Sequence, residues 1–262
     1  MSNFLDHSIL FDEYITGNRF IDICQVNGVT FCKTDFIGEF TNTSAPVFVT
    51  HNSDYHITWP RWKTKPQDLK TWYCQNKDYT NRKLVSLPIG LENMIPRISK
   101  ASQEGRFSSA HGTDKPIHIN ELALDNIRHN NLVYLNFNVD TYPTERQFLY
   151  SSLGKEPWVT TKANVNWKEY YSDIVSHKFV VSPRGNGVDC HRTWEALYLR
   201  TIPIVRRSTH MEEFKDLPIL YISDWREVTE KFLMDSYDEM AARHYNLSKM
   251  KLSYWKERIK NE

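Results

Sequence analysis

Two arginines, a carboxylate and two glycines stand close together in the stretch HKFVVSPRGNGVDCHRTWEALYLRTIPIV, His177 to Val205. Arg184 and Arg192 flank the start of an expected helix. Helix N-terminal amides favour an anion, and two guanidinium forks beside them suit a doubly charged phosphate group. Gly185 and Gly187 carry no Cβ, so backbone N–H groups of the loop can approach such a ligand closely. Glu195 follows Arg192 on the same helix face, where a carboxylate can accept hydrogen bonds from a sugar diol. Together these are the parts needed to hold a nucleoside diphosphate. Plainer roles also fit: the arginines as surface partners of nearby acids, the glycines as a turn, and Arg192 with Glu195 as an intrahelical ion pair.

The elements that must position these groups are legible around them. Lys178–Val181 is the apolar, β-rich run of a buried strand, and Ser182–Gly187 breaks it with proline and glycine. Asp189 can cap the helix that follows, and Val188, Trp194, Leu197 and Leu199 give that segment apolar surface. Ile202–Val205 is the next strand. A second contribution comes from Asn136, Asn138, Thr144 and Arg146, where strand, loop and helix would set polar groups beneath the diphosphate; Thr144 would alternatively cap its helix. Arg206 and Arg207 follow a strand and fit either donor contact or a solvated edge. Cys190 in a helix's first turn would have a lowered pKa and invites a nucleophile reading, against which stands a small residue packed at a helix start.

The segment resembles the C-terminal signature of exostosin-like glycosyltransferases. That signature is an apolar strand, Pro-Arg-Gly, a spacer, Arg, a Glu-Ala-Leu helix and an Ile-Pro strand. Here it is Pro183-Arg184-Gly185, Arg192, Glu195-Ala196-Leu197 and Ile202-Pro203-Ile204-Val205, with Met211 to Val228 continuing the likeness. Short, soluble members similar to this chain include xylosyltransferase-like proteins of large DNA viruses. One departure is Arg200, in a turn where the family often has the glycine that suits a left-handed helix end.

The resemblance implies an α/β chain of GT-B type, with two Rossmann-type domains facing across a cleft. Residues 1–125 would bind a glycan acceptor, and residues 126–262, with the terminal helices, a UDP-sugar whose first candidate is UDP-xylose. It also implies inverting transfer. Such transfer needs a base for the acceptor hydroxyl and neutralisation of the leaving diphosphate, here by arginine. No Asp-x-Asp triplet occurs in the chain, which fits a site with no metal and no cofactor beyond the donor. Candidate bases are Asp54, Glu92 and His51, each at the end of an expected strand. Their plainer roles are an Asx turn, a solvated acid and a hydrogen-bonded turn residue. The same residues also fit a nucleotide-sugar epimerase or hydrolase, or a binding module that keeps the cleft and lacks a base.

Composition bounds the rest. A net charge of +1 over 262 residues argues against a general nucleic-acid or membrane binder, so phosphate recognition must be local. Aromatic residues make up 13%, which suits stacking on sugar rings as well as core filling. The cysteines Cys24, Cys32, Cys74 and Cys190 have neither CxxC nor zinc spacing, so free thiols in a reducing compartment are expected. The N-terminus has acids where a signal peptide is basic and then apolar, and no apolar run reaches the length of a membrane span. A cytoplasmic address follows, in a microbe or a virus-infected host cell.

Along the chain, strands are expected at Ile21–Cys24, Val29–Cys32, Pro46–Thr50, Thr71–Cys74, Leu84–Leu87, Leu132–Phe137, Trp158–Thr161 and Pro218–Ile222. Helices are expected at Ile119–Arg128, Thr144–Ser152, Trp167–Val175, Met211–Lys215, Trp225–Met234 and Asp238–Ile259, with a loop over Ser102–Asp114. Strands alternating with helices imply parallel sheets covered on both faces, with ligands beyond the C-terminal strand ends.

Overall fold

Alternation of β-rich runs with amphipathic segments produces two parallel sheets in the computed structural model, which describes residues 2–3, 9–94, 111–125 and 129–262. In chain order the elements begin with β1 (Ser2–Asn3), α1 (Gly17–Ile23), β2 (Val29–Lys33), β3 (Val47–His51), α2 (Trp59–Trp62), β4 (Thr71–Cys74), β5 (Leu84–Ser86) and α3 (Asp114–Leu124). They continue with β6 (Asn131–Leu135), α4 (Pro143–Ser151), β7 (Val159–Thr161), α5 (Trp167–Val175), β8 (His177–Val181), α6 (His191–Tyr198) and β9 (Ile202–Arg206). Last come β10 (Leu220–Ile222), α7 (Glu230–Ala242), β11 (His244–Tyr245) and α8 (Leu252–Lys260). The first sheet has the order β2-β3-β4-β5 and the second β10-β9-β8-β6-β7, every pair parallel. β1 pairs antiparallel with β11. The arrangement is mixed α/β, compatible with two Rossmann-like units.

Burial on both faces follows the two-residue strand period. Val47, Val49, Tyr73 and Val85 of the first sheet face a core that runs on through Val133, Phe179, Ile204 and Trp194 of the second half. Phe48, Trp72, Cys74 and Leu84 face a smaller cluster with Ile37, Trp62 and Leu69. Helix α8 returns to the first sheet. It buries Trp255 and Ile259 in the main core, and Glu262 beyond it accepts from Tyr73 Oη at 2.7 Å and Thr71 Oγ1 at 2.9 Å. Helix α3 lies before the expected boundary at residue 125 yet packs against α5, with His118 edge-on to Trp167. Most tryptophans fill core: Trp62, Trp72, Trp194, Trp225 and Trp255 are buried, whereas Trp59 is exposed.

Several expected elements come out differently. Ile21–Cys24 belongs to helix α1 and its C-cap, because Thr16 Oγ1 accepts from Arg19 N and Phe20, Ile23 and Cys24 bury one helical face. Met211–Phe214 is a single 3-10 turn. The terminal helical pattern divides otherwise: Trp225–Glu227 is a capped 3-10 turn, Thr229 caps α7, and β11 separates α7 from α8. Asp114 of the expected loop opens α3; residues 102–110 of that loop and 126–128 of the expected helix lie outside the described residues. No helix among the described residues is long and apolar enough to cross a membrane.

Strand order places the site. In the second sheet β6 is flanked by β7 on one side and β8 on the other, so the crossovers reverse direction there. Such a switch point opens a crevice beyond the C-terminal strand ends. The loops after β6 and β8 flank it, and the loops after β3 and β5 of the first sheet face it.

Candidate functional site

Two clefts meet at this seam. One, of about 400 Å³, is lined by Asn138, Thr141, Arg146, Tyr170, Gly185, Gly187, Arg192 and Glu195 of the second half, and by Asp54, Glu92 and Lys115. The other, of about 710 Å³, is lined mainly by the first half, including Lys33, Phe36, His51, Asn52, Asp54 and Tyr55. Asp54, Ile89 and His191 line both.

The smaller cleft is built around two guanidiniums, Arg146 and Arg192. Arg146 donates from Nε to the Arg184 carbonyl at 2.9 Å and from Nη1 to the Asn138 carbonyl at 2.6 Å, clamping the loops after β6 and β8 together. Arg192 donates from Nε to the Asn136 carbonyl at 3.1 Å. Its Nη1 is buried with no hydrogen-bond partner. Both guanidiniums lie against the Phe137 ring, 5.3 and 5.4 Å from its centroid. Among the described residues neither has a carboxylate within ion-pair distance, and burial, with Arg192 nearby, lowers the pKa of Arg146. An unpaired donor and two like charges in a cleft are costly unless an anion joins them.

Glu195 is buried on the same wall. Its Oε1 accepts from Tyr171 Oη at 2.8 Å and its Oε2 from Tyr170 Oη at 3.1 Å. Burial first, then the Glu195 charge, drives both phenols well above their usual pKa, so they remain donors. The carboxylate is thereby fixed with lone pairs to spare for a diol. Neither tyrosine is marked by any local motif in the sequence; both come from α5.

The glycine loop is a contact surface as well as a turn. Gly185 N donates to the Gly187 carbonyl at 3.1 Å. A Cβ on Gly187 would stand 2.7 Å from the side-chain amide atoms of Asn76, and one on Gly185 would stand 3.2 Å from Arg146 Nη2. Arg184 turns away from the cleft-lining set. Its Nη2 lies 3.1 Å from His56 Nε2 and 3.1 Å from the Asn186 carbonyl, and its guanidinium stacks on Tyr142 at 4.5 Å. It clasps the two halves together. Asn136 contributes its carbonyl, while its side chain bonds Tyr134. Thr144 is exposed inside α4, Arg206 pairs with Glu145, and Arg207 with Glu212.

Two expectations about the helix start need correcting. Asp189 is not the cap of α6; Cys190 occupies that position. Asp189 instead collects donors from Trp194 Nε1 at 2.9 Å, Cys190 N at 2.9 Å and Ile89 N at 2.7 Å, tying α6 to the first half. Cys190 is not activated, because burial raises its thiol pKa and Arg192 offsets this only in part.

The three candidate bases differ in availability. His51 is buried, with Nδ1 accepting from Asn52 N at 2.8 Å and Nε2 3.0 Å from the Pro88 carbonyl, so no ring nitrogen is left to receive a proton. Burial pushes its pKa down to about 4. Glu92 is ion-paired with Lys115. Asp54 is exposed at the seam, where Oδ2 accepts from Asn186 Nδ2 at 3.2 Å.

Among the described residues no group of three His, Cys, Asp or Glu side chains converges as metal ligands. The fold and cleft thus define a Rossmann-like α/β protein with a crevice at its switch point that is lined by both guanidiniums and carboxylates. No protein-family model matches the chain, and no curated protein matches it either.

Proposed function

We propose that the protein is an inverting glycosyltransferase of exostosin-like, GT-B type. It moves a sugar, xylose as first candidate, from a UDP-sugar to a glycan hydroxyl without a metal. The observation that carries this reading is the buried, unpartnered Nη1 of Arg192 beside Arg146 in a cleft that Glu195, from the same helix, also lines. Guanidiniums there neutralise a diphosphate as it leaves, which is the charge that develops in the transition state. Glu195 takes the ribose diol, and the larger cleft takes the acceptor. In this division the first half is the acceptor domain and the second half the donor domain. The four cysteines, all free, suit a reducing cytoplasmic compartment.

Calorimetric titration with UDP, GDP and CMP in EDTA tests the reading. Micromolar binding of UDP, weakened about 10- to 100-fold in Arg192→Ala, is expected. Preference for GDP would change the donor class, and no binding of any nucleotide would remove the assignment.

A further inference from the structure

His191 opens α6 at the junction of the two clefts and lines both. Its Nδ1 lies 2.7 Å from the Gly90 carbonyl. A carbonyl only accepts, so Nδ1 carries the proton and the neutral ring keeps its lone pair on Nε2. Among the described residues Nε2 has no hydrogen-bond partner. The acceptor that fixes this tautomer is itself fixed: Gly90 sits at φ +68°, and a Cβ there would stand 2.3 Å from the Ile15 carbonyl oxygen. His191 therefore offers an oriented lone pair where donor and acceptor would meet. His51 offers none, Glu92 is engaged by Lys115, and Asp54 shares its carboxylate with Asn186.

We infer that His191 is the general base of the transfer, an assignment that rests on the nucleotide-sugar reading above. The acceptor hydroxyl gives its proton to Nε2 as its oxygen forms the bond to the anomeric carbon. The bond from that carbon to the diphosphate oxygen breaks, and its electron pair leaves with UDP beside Arg192 and Arg146. The imidazolium then returns its proton to solvent. Charged and titratable groups lining the clefts beside it include Arg192 and Glu195 on its own helix, Asp189 just before it, His51 at the end of β3, Asp54 in the loop that follows, and Glu92 with Lys115.

The test uses the full chain, UDP for binding and UDP-xylose, UDP-glucose and UDP-galactose for turnover, with water as acceptor and EDTA present. His191→Asn places an amide N–H where Nδ1–H stood, so it keeps the bond to Gly90 while removing the base. Expected are a UDP Kd within about threefold of wild type, a fall in UDP release of roughly a hundredfold or more, and loss of the acid limb of the pH–rate profile. His191→Ala, which also removes the bond to Gly90, should be no more active than His191→Asn. Wild-type rates in His191→Asn, or a collapse of activity in Asp54→Asn alone, would overturn the assignment. So would a wild-type protein that binds UDP yet hydrolyses none of these donors, since a poised lone pair activates water as it does a sugar hydroxyl. A wild-type protein that binds no UDP would instead sink the nucleotide-sugar reading itself.

Discussion

Arg192 and Glu195 lie on one face of α6, three residues apart, and do not pair. Arg192 Nε is taken by the Asn136 carbonyl and Glu195 by the hydroxyls of Tyr170 and Tyr171. Separate anchoring leaves both residues lining the cleft without pairing to each other, where an ion pair would have quenched both charges.

That separation predicts distinct binding defects. Arg192→Ala should weaken both UDP and inorganic pyrophosphate by about 10- to 100-fold, the range for losing a charge-assisted hydrogen bond. Glu195→Gln should weaken UDP and leave pyrophosphate unchanged. Arg184→Ala should weaken UDP less than Arg192→Ala, because its guanidinium is engaged by His56, Asn186 and Tyr142. Calorimetry on the three variants checks the order.

Gly187 is one of the points where the loop after β8 touches the first half, packed against Asn76. Gly187→Ala should destabilise the protein by about 1–3 kcal/mol, because its methyl would displace the Asn76 side chain. Asn76 then loses its bonds to Asp189 N and the Ser53 carbonyl, each 3.1 Å long. Gly185→Ala meets the end of the Arg146 side chain and the Thr141 methyl at 3.2 and 3.3 Å, with Cys190 Sγ at an ordinary 3.9 Å, and should cost less. Urea unfolding of both variants measures the difference.

Acid should destabilise the fold through buried histidines. Burial holds His51 near pKa 4 in the folded state, against 6.5 when exposed. Between these values the unfolded chain binds a proton that the folded chain refuses, so stability is complete above pH 6.5 and lost as pH falls toward 4. The loss from His51 reaches about 3 kcal/mol. His129, also lowered to about 4 by burial, acts in the same direction. In His51→Gln the slope of unfolding free energy against pH over this window should be shallower than in wild type.

Arg200 ends α6 at φ +60°. Its N–H bonds the Leu197 carbonyl and Thr201 N the Ala196 carbonyl, the two bonds of a Schellman end. Arg200→Ala and Arg200→Gly both remove the side-chain bond to the Ala123 carbonyl, 2.6 Å long, but only glycine relieves the left-handed backbone. The glycine variant should therefore be the more stable of the two by about 1 kcal/mol in thermal or urea unfolding.

The sequence by itself determined the parallel α/β alternation, the strand–loop–helix–strand unit from His177 to Arg206, and the residue types of the cleft. Those follow from local periodicity and from glycine and proline, which act within a few residues. It misassigned Ile21–Cys24, where a short apolar run fits strand and helix alike until Thr16 caps it. Only the tertiary structure decided which polar groups are spent on the fold and which are left for a ligand. Arg184 and Arg192 look equivalent along the chain, yet one meets His56, 128 positions away, and the other keeps a buried nitrogen without a partner. His191 acquires its tautomer from Gly90, 101 positions away. Hydrogen bonding is short-ranged and directional, so a side chain's availability depends on segments that the chain brings near only by folding.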